Sequence, residues 1–298
     1  MGRGYNDQEV KSNLITLLSG SKTGLSGVEI SAQLGINRVT MTKFLNVFAA
    51  EGIIKQKNIG NLNLWLVEEG TEQYQFPDDY FKVQEKYLEF LTSGSESTIY
   101  NLIKNCIISK ADITKLMAEI IIPSIVQIQS SFNDGKIGKS EQQFMNGIIS
   151  KSIQMINLGN FDQESQKNVI LLSSDSQSVL FAEAASAAFR SDGWKVFSLG
   201  DMSSAIDVLF DLDLKKMLTK IWKSKQDLML VVIFSSTEEG LKFFSESFDS
   251  IKGKNEKNLF LILSGKVGKK VKIKSDLLTE RLEDIIQWSQ TKFENLQV

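Results

Sequence analysis

The stretch Asn168–Gly200, NVILLSSDSQSVLFAEAASAAFRSDGWKVFSLG, decides the fold class of the C-terminal part of the chain. It opens on Asn168–Ser173, a short apolar block that reads as a strand buried on both faces. Leu180, Ala184, Ala187 and Ala188 then recur at helical spacing, Gly193 closes that helix, and Trp194–Gly200 reads as the next strand. Strand, crossover helix and strand form the unit from which parallel sheets are built.

The same alternation continues downstream. Ile206, Leu209 and Phe210 open a helical pattern that extends through Leu214, Leu218, Ile221 and Trp222; Leu228–Ser235 is a strongly apolar strand; Leu241–Phe248 is helical; and Asn258–Gly265 is another strand. A last helix is expected over Ser275–Phe293. Residues 166–298 therefore form a doubly wound, flavodoxin-like α/β domain, whose ligand belongs at the C-terminal ends of the strands. The first strand-to-helix turn holds Ser173, Ser174, Asp175, Ser176 and Gln177 in place of closely spaced glycines, which argues against a dinucleotide.

Upstream, residues 78–160 show helical patterns and almost no strand signal. Phe81, Tyr87, Leu88 and Leu91 mark one helix, Ile99, Leu102, Ile103 and Ile107 a second, Ile113–Ile128 a third, and Phe144, Ile148, Ile149 and Met155 a fourth. Four amphipathic helices of this length predict a bundle. Pro123 predicts a kink or a restart in the third, because proline donates no amide to the preceding turn. Glu119 and Glu141 read as solvated or capping residues, since no Glu-x-x-His pair exists to make a bundle metal site.

Residues 1–72 differ again. A helix over Asn6–Leu18 ends at Ser19–Ser21; a second begins at Ser26, with Glu29 completing a capping box, and stops at Gly35; Asn37 caps a third that runs to Ala50. On this third helix Val39, Phe44, Leu45, Val47 and Phe48 are expected inside, with Arg38, Thr40, Met41, Thr42, Lys43 and Asn46 on the other sides. Ile53 and Ile54 and the alternating Leu62, Leu64 and Leu66 read as two strands around a turn at Asn58–Asn61. This order, and the stretch Glu29–Gln56 in particular, resembles the winged helix-turn-helix family. The resemblance implies a third helix in the major groove of double-stranded DNA, with Arg38, Thr40, Thr42 and Lys43 facing it and Lys55, Lys57 and Lys22 on phosphates.

The totals bound these expectations. The chain has 298 residues, 42% of them hydrophobic, and a formal net charge of −2, so any attraction to nucleic acid must be local. One cysteine, Cys106, excludes an intrachain disulfide framework. The complete absence of histidine removes the usual acid/base group and imidazole metal ligand, so no catalytic site and no metal site are expected. No apolar run is long enough for a signal peptide or membrane span, which points to a cytoplasmic protein with no membrane partner.

The order of the three modules resembles the cobalamin-dependent light-sensing transcriptional regulators and, beyond them, the cobalamin-binding modules of methyltransferases. The resemblance is strongest over Asn168–Gly200. That family ligates cobalt through an Asp-x-His-x-x-Gly motif, and counting back from Gly193 places the three motif positions at Ser176, Ser178 and Phe181. Ser235, Ser264 and Gly265 match the parts of the pocket that flank the nucleotide tail. In the bundle, the residues that cover the corrin correspond to Phe132, Gln142 and Gln143. The pocket is thus degenerate and no cofactor is expected in it. An unidentified small ligand between bundle and α/β domain remains open.

Relative to the family, the segment between Gly200 and Asp227 is longer and carries Lys215, Lys216, Lys220, Lys223 and Lys225. A second basic cluster holds Lys266, Lys269, Lys270, Lys272 and Lys274, and both clusters read as solvated faces. The expected function is a sequence-specific DNA-binding transcriptional regulator, a homodimer, with a degenerate cobalamin-binding-like sensor or dimerisation module. Two alternatives stand beside it: a histidine-free corrinoid or other small-ligand carrier, and a protein-interaction scaffold.

Overall fold

The computed structural model describes residues 6–21, 23–60, 62–71, 74–159, 161–205, 210–224, 226–252, 256–268 and 271–296. The chain divides into two compact units, the first made of Met1–Asp79 and Glu89–Ala111, the second of Tyr80–Leu88 and Asp112–Val298. This differs from the expected three-part division, because Glu89–Ala111 group with the N-terminal residues.

In the first unit, α1 (Asp7–Ser19) is capped by Asn6, whose side chain accepts from the Gln8 amide. β1 (Leu25–Ser26) leads into α2 (Gly27–Leu34), where the expected capping box forms: the Glu29 amide donates to Ser26 Oγ at 3.3 Å and the Ser26 amide to Glu29 Oε2 at 2.8 Å. Gly35 ends α2 at φ +64°, a left-handed position that glycine takes without strain. α3 (Arg38–Ala50) follows, with Asn37 accepting from the Val39 amide. β2 (Ile54–Ile59) and β3 (Leu62–Val67) pair antiparallel, and β1 joins β3 to give the sheet order β1-β3-β2. Leu14, Ile30, Met41, Leu45, Phe48 and Trp65 form the centre of this unit's core.

Two expectations for this unit are corrected. Met41 is buried whereas Val39 and Val47 are exposed, because the inward stripe of α3 runs Met41, Leu45, Phe48 and Val39 falls opposite it. β2 also continues through Asn58 and Ile59, so the hairpin turn is tighter than Asn58–Asn61.

α4 (Tyr80–Thr92) is divided between the units, and α5 (Glu96–Ile108) lies in the first. Gly70, at φ +84°, lets the backbone approach α5, where a Cβ would stand 2.5 Å from the Thr98 carbonyl oxygen. Phe81, expected inside, is exposed, since α4 buries Tyr80, Val83, Tyr87 and Leu91. Ile107 is likewise exposed and Cys106 buried.

In the second unit α6 (Ile113–Leu116) passes through a π-helical turn, Met117–Ile121, before α7 (Ile122–Asn133) starts with Pro123 in its first turn. The Ile122 amide reaches back to the Met117 carbonyl, and the helix resumes where proline's missing donor is tolerated, as its position predicts. α8 (Lys139–Asn157) buries Met145, Ile148, Ile149, Ile153 and Ile156 and leaves Phe144 exposed, against expectation.

β4 (Lys167–Ser173), α9 (Val179–Ser191), β5 (Lys195–Asp201), α10 (Phe210–Ile221), β6 (Leu228–Phe234), α11 (Glu238–Ile251), β7 (Leu259–Ser264), β8 (Leu277–Leu278) and α12 (Leu282–Glu294) complete the chain. All strand pairs are parallel and the order is β5-β4-β6-β7-β8, the flavodoxin-like doubly wound pattern. β4 and β6 are buried along their whole length, as the apolar runs Val169–Leu172 and Leu228–Phe234 require.

The expected helix over Ser275–Phe293 is shorter. Leu277 and Leu278 pair with Ile262 and Leu263, Asp276 Oδ2 accepts from the Leu261 amide at 2.8 Å, and α12 begins only after Arg281. α12 turns Leu282, Ile285, Ser289 and Phe293 inward. The expected Ile206 and Leu209 lie outside the described residues.

Candidate functional site

In a sheet of this order the strands diverge between β4 and β6, and the loops leaving their C-terminal ends leave a crevice. Asp175 stands at that point, in the turn after β4. Its Oδ1 accepts from the Gln177 amide (3.1 Å), the Ser178 amide (3.0 Å) and the Ser178 hydroxyl (2.9 Å), which fastens the first turn of α9. Its Oδ2 accepts from Ser174 Oγ (2.9 Å), Ser235 Oγ (3.3 Å) and the Ser236 amide (2.8 Å), which fastens the turn after β6. Burial alone would raise this carboxyl, but the Ser236 amide and the hydrogen bonds from Ser174, Ser178 and Ser236 outweigh it and hold the group below the usual carboxylate range.

The second tie between the strand ends is the Ser174–Ser235 hydroxyl pair, 2.5 Å apart. Gly240, at the start of α11, presses on it: a Cβ there would lie 2.5 Å from Ser235 Oγ and 2.6 Å from Ser174 Oγ. Gly265, at φ +158°, passes so close to the Ser235 carbonyl that a Cβ would collide with it.

Over these strand ends α7 presents Ile122, Val126, Gln129 and Asn133, and between them and the turns is a cleft of about 400 Å³. Gln129 Nε2 donates to the Gln177 carbonyl at 2.9 Å, tying α7 to the first turn. Phe181 and Phe234 give the cleft an apolar wall, Ser178, Ser235 and Ser264 a hydroxyl wall, and Lys266 and Glu280 a charged rim.

Among the residues singled out from sequence, Ser178, Phe181, Ser235, Ser264 and Gly265 line this one cleft. Ser176 is exposed and not part of its lining. Phe132, Gln142 and Gln143 are not part of the lining either. Phe132 and Gln142 instead share Lys139, whose Nζ lies 5.2 Å from the Phe132 ring centroid and 3.1 Å from Gln142 Oε1, while Gln143 is exposed. Asp175 is not singled out by the sequence, although an acid directly after a buried strand is the available signal. Counted from Asp175, the histidine position of the Asp-x-His-x-x-Gly pattern falls on Gln177 and the glycine position on Leu180, in place of Ser178 and Phe181.

In the first unit Arg38, Thr42, Lys43 and Lys57 are exposed, Thr40 is half-buried, and Lys55 pairs with Glu68 at 3.6 Å. Thr42 Oγ1 donates to the Arg38 carbonyl at 2.8 Å. The outermost stripe of α3 is Val39, Lys43, Asn46 and Ala50, of which only Lys43 is among the expected DNA-facing residues. Lys22 lies outside the described residues, as do Lys225, Lys269 and Lys270. Lys215, Lys216, Lys220 and Lys223 are all exposed, and Lys274 is paired with Asp249 at 2.8 Å.

A parallel sheet of this order, with helices over the C-terminal ends of its strands, is the scaffold of corrinoid-binding proteins, and the chain has a fold of that kind. The monomethylamine corrinoid protein of Methanosarcina barkeri superposes with a TM-score of 0.54 at 11% identity, covering 70% of this chain and 98% of that one. The methanol:cobalamin methyltransferase complex of the same organism (TM-score 0.32, 12% identity, 87% and 93% covered) is too loose a match to carry an argument. The same holds for human N-acetylserotonin methyltransferase with SAM (0.23, 9%, 99% and 93%). No protein-family model and no curated protein matches the sequence.

The residues do not fit a histidine-ligated corrinoid. The chain has no histidine, Ser178 is bonded into Asp175, and a cleft of about 400 Å³ falls in the lower part of the range for drug-sized ligands, which a corrinoid far exceeds. Among the described residues no group of three or more Cys, Asp or Glu side chains is placed to hold a metal ion. No helix among them is long and apolar enough to cross a membrane.

Proposed function

We propose that the second unit is a carrier or sensor of a small ligand that is not a histidine-ligated corrinoid. The supporting observation is the cleft at the divergence of β4 and β6, where Ser178, Phe181, Ser235, Ser264 and Gly265 line one space with α7 above it. Its inner polar groups are hydroxyls and carboxamides, which orient a ligand, Lys266 and Glu280 stand at its charged rim, and Asp175 is a fully engaged carboxylate. Denaturing extraction of the purified full-length protein should release a stoichiometric small molecule. After incubation with hydroxocobalamin and desalting, no corrinoid absorbance should remain. Retention of one corrinoid per chain would overturn this reading.

A second function belongs to the first unit, read as a winged helix-turn-helix that binds double-stranded DNA. It is favoured by α3, which carries Arg38 and Lys43 and no carboxylate along its length, and by Lys57 on the neighbouring hairpin. Together the two functions make a ligand-responsive DNA-binding regulator, acting as a homodimer on paired half-sites. Footprinting on the DNA upstream of its own gene should show salt-sensitive, sequence-preferring protection, and light scattering should give a dimer. A folded protein that binds no duplex but retains a protein partner would instead be an interaction scaffold.

A further inference from the structure

Val39, the second residue of α3, is 68% exposed, while Met41 is fully buried. The side chain adds nothing to the core, and alanine would serve the helix better. Val39 shares its stripe with Lys43 one turn on and Asn46 two turns on, directly opposite the Met41, Leu45 and Phe48 face. Arg38 and Lys43 are the charged residues of α3, so the surface around Val39 is cationic without a compensating acid on the helix. The Thr42 hydroxyl, donated to its own helix, has no proton to give to a base.

We propose that Val39 is a base-reading residue that packs on the C5-methyl group of a thymine in the DNA major groove, with Asn46 reading an adenine further along the same stripe. The proposal rests on the DNA-binding reading of the first unit. The surroundings select the occupant: a helix that carries Arg38 and Lys43 and no carboxylate complements a polyanion, and the thymine methyl is the apolar feature that the major groove offers to a valine. Asn46 has the carboxamide that matches the N6 donor and N7 acceptor of adenine.

The test uses the full chain and a duplex selected by it from a random pool. Each thymine of that duplex is then replaced singly by deoxyuridine, which removes only the methyl group. One replacement is expected to weaken wild-type binding about fourfold and to leave Val39→Ala binding unchanged, while Val39→Ala itself binds the parent duplex several-fold more weakly. The variant's melting temperature should be equal or higher, which excludes unfolding as the cause. Asn46→Ala should relax selection at one adenine. If duplex is selected but every deoxyuridine duplex binds the wild type equally, Val39 reads no methyl and the proposal fails while the DNA reading stands. If no duplex is enriched in a salt-sensitive manner, the DNA reading fails and the proposal with it.

Discussion

Ser174 Oγ donates to Ser235 Oγ across 2.5 Å, joining the C-terminal ends of β4 and β6 at the point where the sheet order reverses. Asp175 Oδ2 lies 2.9 Å from Ser174 Oγ and 3.3 Å from Ser235 Oγ, so a single carboxylate braces the two turns that flank the cleft.

Asp175→Asn replaces one accepting oxygen with a donor and sets it against the amides and hydroxyls that converge there. It should cost about 2 kcal/mol of stability at neutral pH. The folded carboxyl lies below its unfolded value, so its stabilisation is complete above that value and disappears as pH falls through the lower folded one. Urea midpoints of wild type and variant should therefore differ at pH 6, and the difference should begin to shrink as pH falls below about 4.

Gly240→Ala should force the Ser174–Ser235 pair apart, because the added Cβ meets both hydroxyl oxygens. A loss of about 1–3 kcal/mol is expected from overpacking. Release of the bound small molecule, measured by mass spectrometry after dialysis, should accompany it.

Cys106 is fully buried in α5, and burial pushes its thiol up to about 12. A thiol reagent at pH 8 should modify no cysteine in the folded protein and one per chain in denaturant. The unfolded thiol ionises from about pH 9 while the folded one does not, so stability should fall as pH rises above 9. Tyr87, whose phenol is also raised by burial although its hydroxyl donates to Ser152 Oγ, adds to the loss only above pH 10. Cys106→Ala should remove the decline between pH 9 and 10.

Lys43→Ala removes an exposed cation from the outer stripe of α3. Binding to all duplexes should weaken, and the slope of log affinity against log salt should shrink by about 0.9. Thr42→Ala should leave that slope unchanged, since its hydroxyl bonds to the Arg38 carbonyl.

Much of the fold is legible locally. The uninterrupted apolar blocks of β4, β6 and β7, the capping box of Ser26 and Glu29, the left-handed stop at Gly35 and the restart at Pro123 each depend on residues a few positions apart. The candidate cleft is half legible: Ser178, Phe181, Ser235, Ser264 and Gly265 converge as the family resemblance implies, whereas Phe132, Gln142 and Gln143 belong to a separate cluster around Lys139.

By itself the sequence determined that the C-terminal part is a parallel α/β layer, that helices precede it, and that no histidine is present to ligate a metal or a corrinoid. Those properties follow from composition, from short continuous apolar blocks and from a periodicity of 3.6 residues. Only the tertiary structure decided which face of α3 is buried, since Val39 and Met41 are both apolar and the packing against Leu14, Ile30 and Trp65 selects the phase. It also decided that Leu277 and Leu278 extend the sheet beside β7, and that Asp175 joins two turns whose serines are some sixty positions apart. Pairings over such separations leave no local pattern, because the energy that fixes them appears only when both partners are in place.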